Sequence, residues 1–161
     1  MALRKILRVS LVGAGASWVA ASRGFSAASV ASASSPVPLS RVGVCQFAVT
    51  ADKASNIATA TRLIRSAADK GARLVVLPEV WNGPYATSAF QEYAEVCPGV
   101  GDDATRSASP SVCALAKLAS ELKLCIVAGS IAELDADGKL YNTCLVYNSE
   151  GAVIAKFPTS A

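Results

Sequence analysis

The sequence predicts an α/β fold in which helices are layered against a sheet. Short apolar runs rich in β-branched residues, at 74–77 and 124–129, have the length and composition of buried strands. Segments 54–70 and 110–122 instead repeat their apolar residues at the helical period. The resulting order, β-α-β-α-β followed by hairpin-like turns, indicates layers of helix and sheet. At 161 residues, 52% hydrophobic and 17% charged, the chain is large enough for one domain with a real core.

The first half of the folded region is predicted to be one β-α-β unit. Residues 41–49 are apolar and β-branched enough to form the first strand. A helix over 54–70 follows, capped by Asp52 and ended by Gly71 in a left-handed conformation. The second strand is predicted at 73–77, and its run 74–77 is continuously apolar, which predicts burial on both faces. We expect the two strands to be parallel and the crossover to be right-handed.

The second half adds a long helix and several strands. Ser109 is placed to cap a helix that begins at Pro110, because proline is favoured in the first helical turn. An Asp-Gly pair predicts a hairpin turn at 135–138. The other predicted elements are a short helix at 90–96, a surface loop at 98–109, strands at 124–129, 140–147 and 152–157, and a second turn at 148–151.

The excess positive charge of the chain belongs to its N-terminus. The formal net charge is +3, but four cationic residues lie within residues 1–40, and no acidic residue occurs before Asp52. The remaining 11 Lys and Arg face 12 Asp and Glu, so residues 41–161 carry a net charge of −1. The folded region therefore offers no electrostatic basis for nucleic-acid binding.

Residues 1–40 have the composition of an organelle transit peptide followed by a disordered linker. They contain nine serines, nine alanines and three arginines, and no acidic residue. The segment Arg23-Gly24-Phe25-Ser26 resembles a mitochondrial processing site with cleavage after Phe25. A secretory signal with its apolar core at 9–20 is the alternative, and that run is too short and interrupted for membrane insertion. We expect a mitochondrial or plastid protein, with a cytoplasmic location as the alternative.

Five cysteines and the absence of histidine limit the possible site chemistry. The cysteine number is odd and no C-x-x-C pair occurs, which argues against a zinc site and against a Cys–His nucleophile. No metal or cofactor is therefore expected. Free cysteines inside apolar elements usually act as small hydrophobic residues, which suits a reducing compartment.

One carboxylate follows a strand at the point where α/β folds place their sites. Glu79 comes after strand 73–77 and after Pro78, which ends the strand because it lacks a backbone N–H. Ligand sites of open α/β sheets lie at the carboxyl ends of strands, and a partly solvated carboxylate there suits a general base. The alternative is that Glu79 caps a helix or pairs with a surface arginine.

The loop after Glu79 carries side chains suited to a substrate pocket. Trp81, Asn82 and Tyr85 are the candidates. The alternative is simple loop packing, since an aromatic residue beside a proline is often structural. The sequence favours neither interpretation.

An ordered series of short motifs runs through residues 41–157. It consists of Val42-Gly43-Val44-Cys45-Gln46, Asn56-Ile57, the stretch from Gly71 to Glu79 with Trp81-Asn82 and Pro84-Tyr85, Gly129-Ser130-Ile131 with Glu133, and Leu140-Tyr141-Asn142-Thr143-Cys144. In these motifs the chain resembles the carbon–nitrogen hydrolase (nitrilase) superfamily, and within it the omega-amidase-like branch. The resemblance implies a nitrilase-like α-β-β-α sandwich, the four layers arising when two α-β sandwiches pack in a dimer.

The resemblance also implies a Glu-Lys-Cys triad, in which a cysteine attacks an amide carbonyl and a lysine stabilises the oxyanion. Glu79 matches the family's general base, and Glu133 matches a position with an expected structural role. The family's lysine would fall near Thr159 rather than at Lys156, and none of the five cysteines matches the nucleophile. Residues 41–161 are therefore expected to be a truncated, N-terminal portion of a carbon–nitrogen hydrolase domain that is inactive alone.

The function implied by the resemblance is hydrolysis of the terminal amide of small keto-acid amides, such as 2-oxoglutaramate, with release of ammonia. The expected partners are a small-molecule amide and, in the full-length form, further copies of the chain. The alternative is a non-catalytic truncated isoform or gene-model fragment that misfolds or associates with a full-length subunit, because half a sandwich leaves strand edges and apolar faces uncovered. A nucleotide-binding domain is disfavoured, since no glycine-rich loop follows a strand and opens a helix.

Overall fold

A computed structural model describes residues 41–160, which form a mixed six-stranded sheet with helices packed on it. The strands are β1 (Arg41–Val44), β2 (Ala72–Val76), β3 (Cys125–Val127), β4 (Ile131–Leu134), β5 (Leu140–Tyr147) and β6 (Val153–Ser160). The helices are α1 (Lys53–Asp69), α2 (Phe90–Tyr93) and α3 (Pro110–Leu122), with 3-10 turns at Thr87–Ala89 and Ala104–Arg106. The predicted presequence lies outside the described residues. Within 41–160, no helix combines the length and the apolar character that crossing a membrane requires.

The sheet joins a parallel half to an antiparallel half. β1, β2 and β3 lie side by side and parallel, which confirms the predicted β-α-β unit. β5 pairs antiparallel with β3 and β4 along one edge and with β6 along the other. The strand β4 was not predicted, because its four residues include Glu133 and form no long apolar run.

The strand ends differ from prediction where pairing partners begin or end. β1 stops at Val44 rather than residue 49, because its neighbour β2 ends at Val76 and leaves nothing to pair with. β6 continues to Ser160 rather than residue 157, because β5 supplies partners up to the Tyr141–Ser160 pair. The turn at 135–138 and strand 140–147 are as predicted.

The helix ends are set mostly by the predicted residues. Asp52 caps α1 by accepting a hydrogen bond from the backbone N–H of Ser55 at 3.0 Å, and Gly71 follows with φ of +81°. Ser109 precedes α3, but its hydroxyl donates to the carbonyl of Val96 instead of capping the helix. The carboxylate of Glu95 takes that role.

Glu95 lies buried at the N-terminus of α3, where backbone N–H groups favour a negative charge. Its oxygens accept hydrogen bonds from the backbone N–H and hydroxyl of Ser111, at 2.9 and 2.7 Å. Lys53 in the first turn of α1 completes an ion pair with Glu95 at 3.2 Å. This cluster fixes the segment after α2 against both long helices.

The two faces of the sheet differ in their cover. The core lies under α1 and α3, on the face that carries Val75, Ile126 and Leu145, all at most 2% exposed. The register places Val42, Val44, Leu74, Val76, Cys125, Val127, Cys144, Val146, Ala155 and Phe157 on the opposite face. Val44 and Phe157 there are 63% and 62% exposed. The prediction that the run 74–77 is buried on both faces is therefore wrong within the described residues, because Leu74 and Val76 are only half-buried.

Candidate active site

Glu79 lies in the turn after β2 and is exposed. Its Oε1 atom accepts a hydrogen bond from Nδ2 of Asn142 at 2.9 Å, and its Oε2 atom accepts one from the hydroxyl of Tyr85 at 2.9 Å. The bond to Glu79 raises the pKa of the Tyr85 phenol, because the negative carboxylate disfavours the phenolate. Glu79 thus neither caps a helix nor pairs with a surface arginine among the described residues.

The turn that carries Glu79 is attached to the segment after β3. The backbone N–H of Leu77 donates to the carbonyl of Val127 at 3.1 Å, and the backbone of Ser130 contacts both Pro78 and Trp81. Gly129 permits this approach, since a Cβ atom there would lie 1.9 Å from the carbonyl oxygen of Pro78. Backbone hydrogen bonds therefore join the segments that follow β2 and β3, and Glu79 lies within the first of these segments.

Of the three candidate pocket residues, the structure brings only Tyr85 to Glu79. Tyr85 is 71% exposed, whereas Trp81 and Asn82 are fully buried. The indole N–H of Trp81 donates to the carbonyl of Ala128 at 2.7 Å. The amide of Asn82 donates to the carbonyl of Tyr93 at 3.2 Å. Packing of the loop is the interpretation that these contacts favour for Trp81 and Asn82.

The contact of Asn142 with Glu79 was not predicted from the sequence. Asn142 lies in β5 opposite Thr159 of β6, so the two residues share a face of the sheet. The position where the resemblance places the family's lysine is thus adjacent to the residue that holds Glu79. A polar residue at 142 within the alternating pattern of β5 was the available signal, but only the register connects it to Glu79.

Lys156 points to the other face of the sheet. Its Nζ atom lies 2.5 Å from Oε1 of Glu133, which is 2% exposed, and 3.2 Å from the carbonyl oxygen of Cys97. The hydroxyl of Thr143 donates to the other oxygen of Glu133 at 2.5 Å. This buried ion pair agrees with the structural role expected for Glu133, and it engages Lys156 away from Glu79.

The free thiols of the described region are poorly suited to act as nucleophiles. Burial raises the pKa of Cys45, Cys125 and Cys144, and it raises that of Cys97 to about 12. The half-buried Cys113 donates to the carbonyl of Thr105 at 3.2 Å, on the helix side of the sheet. Because the thiolate is the reactive form, these four raised pKa values disfavour nucleophilic attack.

The described residues form a concave feature that lies apart from Glu79, and they form no metal site. A shallow groove of about 690 Å³ runs between the turn at Ala104–Arg106 and α3, and none of the candidate residues lines it. Among residues 41–160, no group of three or more acidic or cysteine side chains is arranged to hold a metal ion.

Comparison with known proteins identifies the family of this arrangement. The model of the carbon-nitrogen hydrolase family matches residues 41–157. The chain is 46% identical over 121 residues to "Omega-amidase, chloroplastic" of Arabidopsis thaliana, covering 75% of this chain and 31% of the relative. It is 39% identical over 117 residues to "Omega-amidase NIT2" of Homo sapiens, covering 73% and 38% respectively. The matched region thus spans about a third of these relatives.

Solved structures show the same fold. The crystal structure of Saccharomyces cerevisiae Nit3, a member of the nitrilase superfamily, is similar with a TM-score of 0.66 and 35% identity, covering 73% of this chain and 43% of that chain. A carbon-nitrogen hydrolase from Helicobacter pylori gives a TM-score of 0.57 at 20% identity, covering 73% and 38%. These matches confirm the predicted α/β nitrilase-like fold and the resemblance on which it was based.

Proposed function

Because the chain belongs to the carbon–nitrogen hydrolase family, we propose that Glu79 is the general base of an omega-amidase-type hydrolase. The observation that carries this proposal is the double hydrogen bond from Asn142 and Tyr85 to an otherwise exposed carboxylate. Both donors are neutral, so the carboxylate is oriented without being paired to a cation. An oriented, accessible carboxylate is what proton abstraction requires.

The proposed substrate is the terminal amide of a small keto acid of the 2-oxoglutaramate type, with release of ammonia. Support comes from the names of the relatives, which are omega-amidases at 39–46% identity. In the proposed reaction, Glu79 takes the proton of a cysteine thiol, the thiolate attacks the amide carbonyl, and a lysine stabilises the oxyanion. Tyr85, exposed beside Glu79, is the proposed pocket residue.

We propose that residues 41–160 supply the base but neither the nucleophile nor the oxyanion lysine. Residue 159, opposite Asn142, is a threonine, and Lys156 is held by Glu133 on the other face. The raised pKa values of four of the cysteines support the absence of the nucleophile from residues 41–160. The complete activity would then need further chain, consistent with the relatives being about three times as long as the matched region.

The test is ammonia release from 2-oxoglutaramate by the natural polypeptide purified from its own cells. Glu79→Gln should lower kcat by about 10² to 10⁴, the range for loss of a general base. Glu92→Gln, an exposed glutamate in α2, is the matched control and should be silent. The 161-residue chain alone should release no ammonia. Full activity in Glu79→Gln, or turnover by the short chain, would overturn the proposal.

A second candidate function, association with a full-length family subunit, is favoured by the uncovered apolar sheet face. Val44 and Phe157 are 63% and 62% exposed there, next to half-buried apolar residues on four strands. We propose that a subunit of the same family covers this face, because its own sheet would present an equivalent apolar face to pack against it. Val44→Lys should abolish co-purification with that subunit, whereas Val96→Lys, at a valine of 66% exposure outside the sheet, should not.

We also propose that residues 1–40 direct the chain to a plastid or mitochondrion and that the hydrolase domain begins near residue 41. The chloroplastic label of one relative supports an organelle. The intact mass of the protein from its own cells tests this proposal. A mass that corresponds to a chain starting at residue 26 agrees with cleavage after Phe25. A mass that corresponds to a chain retaining Met1 contradicts the proposed cleavage.

A further inference from the structure

The residue that follows Glu79 has an unusual backbone conformation. Val80 has a φ of +45°, in the left-handed region that β-branched residues avoid because Cβ crowds the backbone. It is 5% exposed, and the hydrogen bond that its backbone N–H donates is buried. Such conformations persist only where surrounding contacts enforce them, and they are common beside functional groups.

Ser130 supplies those contacts. Its Oγ atom accepts a hydrogen bond from the backbone N–H of Val80 at 3.0 Å, and its carbonyl accepts one from the backbone N–H of Trp81 at 3.2 Å. Its own N–H donates to the carbonyl of Pro78 at 3.2 Å. Three different groups of one residue thus bind the three residues around the carboxylate-bearing position.

We propose that Ser130 is a positioning residue for Glu79: its hydroxyl holds Val80 in the left-handed conformation, and this conformation directs the Glu79 carboxylate to Asn142 and Tyr85. The side chain of Ser130 does not contact Glu79 and acts only through the backbone turn. Without the hydroxyl, the buried N–H of Val80 loses its partner, and the turn relaxes toward a right-handed conformation that rotates Glu79 away. The catalytic part of the inference rests on the proposed function, but the geometric part does not.

The phenol of Tyr85 reports the position of Glu79 independently of catalysis. Its pKa is raised above the ordinary value of 10.0 by the hydrogen bond to Glu79, so losing that bond lowers it. The probe is the NMR titration of the full chain carrying ring-labelled tyrosine, in which the Tyr85 signal is assigned with Tyr85→Phe. Glu79→Gln gives the titration midpoint expected when the carboxylate is absent.

Ser130→Ala should move the Tyr85 midpoint down to that of Glu79→Gln. Ser109→Ala is the matched control, since Ser109 is equally buried at 9% exposure and its hydroxyl bond at 2.8 Å is remote from Glu79. In the double variant Val80→Gly with Ser130→Ala, glycine adopts positive φ without strain, so the midpoint should return toward the wild-type value. An unchanged midpoint in Ser130→Ala overturns the proposal.

The double variant also decides the case in which Ser130→Ala does not fold. Recovery of the fold and of the raised Tyr85 midpoint supports the proposal, whereas failure of either one overturns it. In the natural polypeptide, Ser130→Ala should lower kcat by about 10- to 100-fold with little change in KM, because misplacement of a base by about 1 Å has such effects. If Glu79→Gln keeps full activity, the proposed function fails while the Tyr85 titration still tests the positioning role.

Discussion

The buried ion pair between Glu133 and Lys156 gives a sharp prediction about stability. The Glu133 side chain is 3% exposed and that of Lys156 is 22% exposed, and their charged atoms lie 2.5 Å apart. Lys156→Met removes the only cation paired with Glu133 among the described residues. Removing one partner of a buried pair usually costs about 3–5 kcal/mol, because the remaining charge is uncompensated.

We place Lys156→Met near the lower end of that range, at about 3 kcal/mol, because the hydroxyl of Thr143 still donates to Glu133. Glu133→Gln should cost less, about 1–2 kcal/mol, since the Lys156 ammonium reaches solvent and keeps its bond to the carbonyl of Cys97. Replacing both residues should cost less than the sum of the single changes, because the double variant leaves no unpaired charge.

Urea unfolding followed by circular dichroism measures these free energies. Lys117→Met, which removes an exposed lysine from α3, is the control and should change stability by less than about 0.5 kcal/mol. The thermal midpoint of Lys156→Met should fall by roughly 10 °C or more. If Lys156→Met is no less stable than Lys117→Met, or if the two single changes are additive, the reasoning from burial is refuted.

Three further predictions concern other parts of the molecule. Gly129→Ala should lower the free energy of unfolding in urea by about 3 kcal/mol or more, because its Cβ would meet the Pro78 carbonyl. Gly138→Ala is the control: Gly138 also has a positive φ but faces open space, so its replacement should lower the free energy of unfolding by only about 1–2 kcal/mol. Cys97, with its pKa raised to about 12, should resist alkylation at pH 8 until the protein unfolds, as peptide mass mapping would reveal. Stability should also fall between pH 9 and 12, because the unfolded thiol ionises near 9.0 while the folded thiol keeps its proton; Cys97→Ala should flatten that decline in pH-dependent unfolding.

The sequence predicted best those features that local chemistry determines. Asp52 caps α1 through a bond to a residue three positions away, and the glycine after α1 adopts the expected left-handed conformation. The turn at 135–138 likewise depends on its own residues. Glu79 was selected as a candidate for a different reason, because the end of an apolar strand can be located without knowing its neighbours.

Features that depend on register or tertiary cover could not be predicted in this way. Asn142 contacts Glu79 across 63 positions, and the contact exists only because β5 and β2 lie in one sheet. Ser109 has the composition of a helix cap, but Glu95, brought from the preceding loop, binds the free N–H groups of α3. A side chain from another segment therefore caps α3 in place of the residue that directly precedes the helix.

The pleat of β5 explains why the carboxylates of Glu79 and Glu133 have different surroundings. Adjacent residues of a strand face opposite sides, so Asn142 donates to Glu79 on one face while Thr143 donates to Glu133 on the other. Glu133 is buried and its charge is paired with Lys156, so a substrate cannot reach it. Glu79 is exposed and is held only by the neutral donors Asn142 and Tyr85, so a substrate can reach it. This difference in surroundings, which follows from the alternation of side chains along β5, is the physical reason for proposing Glu79 rather than Glu133 as the general base.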